Sequence, residues 1–199
     1  MNDTMNGMTS VLIAGVGGQG TVLASRVLSL VVMKAGMEVK QSEIHGMSQR
    51  GGSVVTHVRF GHKVYSPLVT YGSADFVMAF EELEALRSLP YLRPSGSVIF
   101  NTQRMLPMPV ITGAAVYPVD VAGEMRALGL KVNPVDASGI GQEKGDARTA
   151  NMVLMGVLSR ALPSIPDELW YEAMAECLRE NLVAMNREAF QAGQMAYVI

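Results

Sequence analysis

The chain has 199 residues, 49% of them apolar and only 17% charged, with a net charge of −2. That composition fits one globular domain with an ordinary core and excludes a disordered chain, which needs high charge and few apolar residues. It also excludes a nucleic-acid binder, because no strongly basic face can be assembled from it. Cys177 is the only cysteine. Alone it makes no internal disulfide, no four-cysteine iron-sulfur site and no cysteine-rich zinc site, so a reducing cytoplasm is the expected compartment.

Residues 1–8 read as a flexible leader, with alternative starts at Met5 and Met8, and residues 9–199 as one domain. No basic region leads into an apolar run, so no secretory signal is expected. Arg26, Lys34 and the glycines and prolines interrupt every candidate membrane span.

The apolar, β-branched run at 10–14 predicts a strand that ends in glycines. A long apolar stretch at 19–35 predicts a helix stopped by Gly36, and 37–41 a second strand. Together they form a βαβ unit with an expected right-handed parallel crossover. Residues 53–60 alternate Val54, Thr56, Val58 and Phe60 against Val55, His57 and Arg59, a strand with one polar face. Gly61-His62 then turns into 63–66 as a hairpin flanked by Pro67.

Residues 75–80 predict a buried strand, 81–89 a short helix carrying Leu83, Leu86 and Leu89, and 97–100 a further strand. The prolines between 107 and 118 favour extended chain before a strand-like 114–119. Asp120 then caps a helix through Ala127, and 132–135 is a weak last strand. After a loop at 137–148, the segment 149–162 is apolar nearly all round and belongs in the interior. Ser164 to Asp167 has the form of a capping box. Trp170, Ala173, Met174, Cys177 and Leu178 line one face of the next helix, opposite Glu168, Glu172 and Glu176. Leu182, Met185, Ala189, Phe190 and Gly193 repeat at helical spacing to the end. The fold class that follows is a three-layer, Rossmann-like α/β domain with a mixed sheet whose parallel half comes first.

Two motifs carry chemistry. Gly15-Val16-Gly17-Gly18-Gln19-Gly20 is a GxGxxG between a strand and a helix. In that context the glycines permit a tight turn and close backbone approach, and the helix N-terminus offers amides to an anion. Tight helix-sheet packing is the alternative reading. A nicotinamide site needs an acid at the end of the second strand to hold the ribose. Glu43 comes a few places late for that, which leaves a stand-alone NAD(P)-binding oxidoreductase as the alternative function.

The second motif, Glu43-Ile44-His45-Gly46-Met47-Ser48-Gln49-Arg50-Gly51-Gly52, is a polar, glycine-bearing stretch within an apolar chain. Placed after the second strand, at the ligand-binding edge of the sheet, it reads as a binding loop. Arg50 would pair with carboxylate or phosphate, and Glu43 and His45 would bond or exchange protons. A solvated turn with a local Glu43–Arg50 pair is the plainer reading. His57 and His62 read as surface residues and Cys177 as core. Asn151 either meets a partner or satisfies a helix start.

With both motifs in place, the sequence resembles the gamma-type subunit of the 2-oxoacid:ferredoxin oxidoreductases, on the branch of the indolepyruvate ferredoxin oxidoreductase beta subunit. The matching stretches are GVGGQG at 15–20, SEIHGMSQRGGSVVTHVRFG at 42–61, VYSPL at 64–68, ADFVMAFEELEALR at 74–87 and ANMVLMG at 150–156. The resemblance implies a subunit with no cofactor of its own. Thiamine diphosphate, magnesium and iron-sulfur clusters belong to a large partner subunit, coenzyme A is the co-substrate, and electrons pass to ferredoxin through the complex. It also implies that Gly15, Gly17, Gly18, Gln19 and Gly20, with Glu43, His45, Gln49, Arg50, Gly51 and Gly52, face a ligand or the partner, with no catalytic base assigned. A homodimer in isolation through the apolar helices is a further possibility. The resemblance assigns no role to residues 138–146.

Overall fold

The computed structural model describes residues 7–45 and 52–198. In chain order these form β1 (Met8–Val16), α1 (Thr21–Lys34), β2 (Glu38–His45), β3 (Ser53–Gly61), β4 (Ala74–Ala79), α2 (Glu82–Ser88), a 3₁₀ turn (Leu89–Tyr91) and β5 (Leu92–Asn101). Then come α3 (Met108–Ile111), α4 (Val121–Ala127), β6 (Lys131–Val135), α5 (Ala137–Glu143), a second 3₁₀ turn (Ala147–Thr149), α6 (Ala150–Ala161), α7 (Asp167–Cys177) and α8 (Glu180–Met195). Among the described residues no helix is long and apolar enough to cross a membrane.

The strands make one mixed sheet in the order β2-β3-β1-β4-β5-β6. β1, β4, β5 and β6 are parallel, and β3 is antiparallel to both β1 and β2. β1 and β2 therefore run the same way, as a βαβ unit requires, but β3 lies between them. The parallel half accordingly forms from β1 and the later strands rather than coming first. Burial explains the insertion. β3 buries Val54, Thr56, His57, Val58 and Phe60 and needs a neighbour on each side, whereas β2 exposes Lys40, Gln41, Glu43 and Ile44 and tolerates the edge, where charge discourages further pairing. The expected hairpin partner of β3 at 63–66 is not a strand. β3 pairs with β2 instead, from Glu38 opposite Gly61 to His45 opposite Val54.

Alternation along the strands sorts the core into two layers. Val11, Ile13, Met78, Phe80 and Ile99 face α1, α6, α7 and α8, whereas Leu12, Ala14, Val77, Ala79, Val98 and Phe100 face α2 and α4. α6 is buried nearly all round, as its composition requires. Trp170 and Phe190 seal its outer side with ring centroids 5.6 Å apart, each worth roughly 1.5–3 kcal/mol of burial. Two glycines set the α6–α8 spacing. A Cβ on Gly156 would overlap the Phe190 carbonyl, and one on Gly193 the Val153 carbonyl, so the two backbones are in contact.

Local signals decide where elements stop. Gly36 at φ +79° closes α1 through Gly36 N–H to Met33 O (2.9 Å) and Met37 N–H to Val32 O (3.0 Å), the paired bonds of a glycine C-terminus. Asp120 caps α4 by accepting from Gly123 N–H (2.8 Å). Other expectations are corrected. Residues 108–111 are helical because Pro107 and Pro109 suit a helix start. Residues 114–119 form no strand. The loop at 137–148 contains α5, capped by Asp136 on Gly139 N–H (2.9 Å). Pro166 rather than Ser164 starts α7, and Asp167 instead accepts from Gln194 Nε2 (2.8 Å). Met8, assigned to the leader, is already the first residue of β1.

His57 is 2% exposed rather than a surface residue. Its Nδ1 accepts from Val69 N–H (3.0 Å), and two positions on Arg59 donates to Ser66 O and Leu68 O (both 3.1 Å), so β3 straps the segment 64–70 against the sheet. Burial holds the imidazole below its ordinary pKa, and protonating Nδ1 would break the bond to Val69.

Gly156→Ala or Gly193→Ala is expected to cost about 2 kcal/mol through overpacking in urea denaturation, although alanine normally stabilises a helix interior. Above the unfolded value near 6.5 neither state binds a proton at His57. As pH falls below it the unfolded chain is protonated first, so the melting temperature should drop through the folded pKa, and His57→Gln should flatten that part of the profile.

Candidate functional site

β1, β4, β5 and β6 end along one edge of the sheet, and the segment after Val16 turns there into α1, the position at which α/β folds bind ligands. Gly18 (φ +104°) and Gly20 (φ +87°) adopt left-handed conformations that side chains resist. Gly20 is the N-cap of α1. It offers no side-chain acceptor, and the first turn carries no acidic residue, so the positive end of the helix has no local counter-charge. Gly15 is required by space: a Cβ there would lie 2.9 Å from Thr21 Cγ2 and 3.1 Å from Phe80 Cβ.

Neutral amides surround this loop. Gln19 Oε1 accepts from Val16 N–H (2.7 Å), and its Nε2 donates to Phe80 O (3.1 Å) and Gln103 Oε1 (3.0 Å). Asn101, 1% exposed, accepts from Ala137 N–H (3.0 Å) and donates to Ser138 Oγ (3.0 Å), joining the end of β5 to the start of α5. Asn151 is 4% exposed. Its Oδ1 takes Met152 N–H (2.8 Å), and its Nδ2 lies against Gly20, where a Cβ would approach it to 2.8 Å.

A cavity of about 470 Å³ opens between the glycine loop, Asn101, Ser138, Asn151 and the α8 residues Leu182 and Met185. Its titratable lining residues among those described are Asp146 and Arg148, which pair with each other at 2.5 Å. That guanidinium holds the Asp146 carboxyl below its usual range. Donor amides, a helix N-terminus and a self-neutralised ion pair suit the binding of an anion or a polar tail more than proton transfer. A second cavity of about 600 Å³ lies across the loop, lined by Gly17, Gly18, Gly20, Thr21, Arg26, Glu43 and Val54.

The second motif reaches the same place. Glu43 and His45 belong to β2 rather than to a loop, while Gly46, Gln49, Arg50 and Gly51 lie outside the described residues. Gly52 is described, and its carbonyl accepts from Gly17 N–H (2.9 Å), so the two motifs touch. The position beside β1 where a dinucleotide fold brings its ribose-binding acid is taken by β3, with Val54 opposite Gly15, and Glu43 lies one strand further out.

Sequence reasoning missed three carboxylates. The predicted leucine face of α2 is only half-buried, and Glu81, Glu82 and Glu84 are buried instead. Glu81 accepts from Glu84 N–H (3.0 Å), from Met105 N–H (3.0 Å) and from the Tyr117 hydroxyl. Glu82 pairs with Arg104 (2.6 Å), which also donates to Val119 O (2.8 Å). Glu84 accepts from Ser53 Oγ (2.6 Å) and pairs with Arg87 (2.5 Å). The available signal was the run Glu81-Glu82-Leu83-Glu84 directly after an apolar strand, where surface glutamates are out of place. Burial, and then the bond to Glu81, raise the Tyr117 phenol above its ordinary range.

These bonds hold an uncharged arm, residues 105–119, whose Leu106, Met108, Ile111, Val116 and Val119 are exposed. At its root, Met105 Sδ lies 3.5 Å from Gln19 Nε2.

Comparison with known proteins places this geometry. Residues 10–196 match the family model described as pyruvate ferredoxin/flavodoxin oxidoreductase. The chain is 38% identical over 188 residues to indolepyruvate oxidoreductase subunit IorB of Archaeoglobus fulgidus, covering 92% of each chain. It is 38% identical over 196 residues to the subunit of the same name from Thermococcus kodakarensis, covering 94% of this chain and 95% of that one. The fold is shared with the keto/oxoacid ferredoxin oxidoreductase gamma subunit of Geobacter sulfurreducens (TM-score 0.70, 19% identity, 94% of this chain and 97% of that one). It is shared also with 2-oxoglutarate:ferredoxin oxidoreductase from Magnetococcus marinus, solved with 2-oxoglutarate, coenzyme A and succinyl-CoA bound (TM-score 0.74, 21% identity, 96% of this chain and 31% of that one).

Glu81→Ala would strand Glu84 N–H, Met105 N–H and the Tyr117 hydroxyl together. At roughly 1 kcal/mol or more for each orphaned group, the expected loss is about 3 kcal/mol in guanidinium denaturation, with faster protease cleavage inside 105–119.

Proposed function

Because the chain belongs to the pyruvate ferredoxin/flavodoxin oxidoreductase family, we propose that it is the non-autonomous small subunit of a thiamine-diphosphate-dependent 2-oxoacid:ferredoxin oxidoreductase. Its 2-oxoacid is indolepyruvate or a related aryl pyruvate, a reading supported by the indolepyruvate oxidoreductase subunits to which it is 38% identical. Products are the acyl thioester of coenzyme A, carbon dioxide and reduced ferredoxin.

The donor set of this chain does not fit the redox centres. One cysteine in the whole sequence cannot hold a four-cysteine cluster, and no grouping of three or more His, Cys, Asp or Glu side chains suited to a metal occurs among the described residues. We therefore assign thiamine diphosphate, magnesium and the clusters to the large partner subunit.

This chain's own work is binding, and the observation that carries the reading is the amide-lined cavity at the glycine loop. The unneutralised N-terminus of α1 and the Nδ2 of Asn151 present donors to the anionic part of coenzyme A, and the apolar wall of Leu178, Leu182 and Met185 takes less polar atoms. The exposed arm at 105–119 is the surface we assign to the large subunit, since an apolar, charge-poor patch suits the core of an interface, and the sequence motif that contains Arg50 is assigned to the ligand or the same partner.

Two measurements test this. The purified chain should show no turnover with aryl pyruvate, coenzyme A and ferredoxin, and should gain it on mixing with the thiamine- and cluster-bearing subunit; full turnover by the lone chain would overturn the assignment. In the assembled enzyme, Asn151→Asp sets a carboxylate beside the proposed anion site and should raise the KM for coenzyme A at least about tenfold, equivalent to roughly 1.4 kcal/mol.

A further inference from the structure

We infer that Gln19, the one long side chain in the glycine loop, is a positioning residue and not a hydrogen-bond donor to the ligand, although it lines the cavity. A glutamine amide has two N–H donors, and both are taken inside the protein, by Phe80 O at 3.1 Å and Gln103 Oε1 at 3.0 Å. Its oxygen is engaged by Val16 N–H at 2.7 Å. No donor remains to offer a ligand.

The three partners come from different places in the sheet. Val16 ends β1, Phe80 follows β4 and Gln103 follows β5. One amide therefore fastens the glycine loop across three adjacent strand ends, while Gln19 N–H to Val16 O (3.2 Å) closes the turn beneath it. Gly18 and Gly20, the residues on either side, have no side chains with which to fix their own left-handed conformations. The orientation of their peptides, and of the α1 N-terminus that follows, is set by how Gln19 is held. Gln103 is fixed in turn, because its carbonyl accepts from Glu82 N–H at 3.2 Å, and Glu82 is itself paired with Arg104. Ligand geometry at the loop thus depends on a side chain whose donors are all committed to the protein.

The inference rests on the reading of the adjoining cavity as the coenzyme A site, and the test separates the two. Gln19→Glu keeps the shape and the acceptor for Val16 N–H but loses both donations and sets an oxygen against Phe80 O and Gln103 Oε1. In the assembled enzyme it should raise the KM for coenzyme A about tenfold, the loss of two hydrogen bonds, while kcat and the KM for the 2-oxoacid change less than about twofold. Gln103→Leu, which removes one of the two acceptors and leaves the backbone bonds, should raise the same KM about threefold, and carries the test alone if the glutamate variant does not fold. An unchanged KM for coenzyme A in Gln19→Glu (or, failing that, Gln103→Leu), beside a raised one in Asn151→Asp, overturns the positioning role and spares the cavity reading. Unchanged values in all variants overturn both. A parallel fall in kcat and rise in both KM values marks a merely structural residue and also defeats the inference.

Discussion

Four parallel strands that stop at one edge leave carbonyls and amides there with no further ladder to join, and each must find a partner or pay the cost of burial. Neutral amide side chains meet that demand. Gln19 and Asn101 donate and accept at once and Gln103 accepts, so they satisfy groups of both kinds without bringing a charge that would need its own counterion. The rest of the site follows. A loop fastened by amides can leave the N-terminus of α1 electrostatically open, and the cavity beside it keeps a positive end that no local carboxylate cancels.

The scarcity of charge looks different in this light. Three glutamates are spent in the interior, where they hold an uncharged arm and the start of the β3 hairpin in place. Buried carboxylates are costly unless every oxygen is engaged. Here they are engaged by backbone amides, hydroxyls and arginines on neighbouring segments, so the apolar surface of residues 105–119 is presented on a braced support.

Much of this was legible in the sequence. The glycine loop, the strands at its edge, the stop at Gly36, the Asp120 cap and the buried face of α6 were each written in local patterns that the structure keeps. What failed did so for identifiable reasons. β3 displaced β2 from the side of β1 because burial on both faces is a property of the whole sheet, invisible to a period-two pattern in one strand. His57 looked like surface because alternation assigns a face but not what later covers it; the strap at 64–70 covers it. In α2 the leucines misled because their partner surface was assumed, whereas the carboxylates had bonding partners 22 to 36 positions away. The site was half legible. Both motifs were visible and do meet, through Gly17 and Gly52, but the amides at 101, 103 and 151 became recognisable only once distant chain segments lay side by side.

The insertion of β3 between β1 and β2 also orders the assembly of the molecule in time. The β2–β3 hairpin closes a short loop, whereas the β1–β3 pairings run from Val16 opposite Ser53 to Met8 opposite Gly61, each spanning all of α1. Loop-closure entropy favours the local partnership first. The hairpin is then added to β1 as a preformed unit, and that docking brings Gly52 to Gly17. Completion of the glycine loop's surroundings is thereby tied to a non-local docking step, so chains in which the hairpin has not docked lack the site.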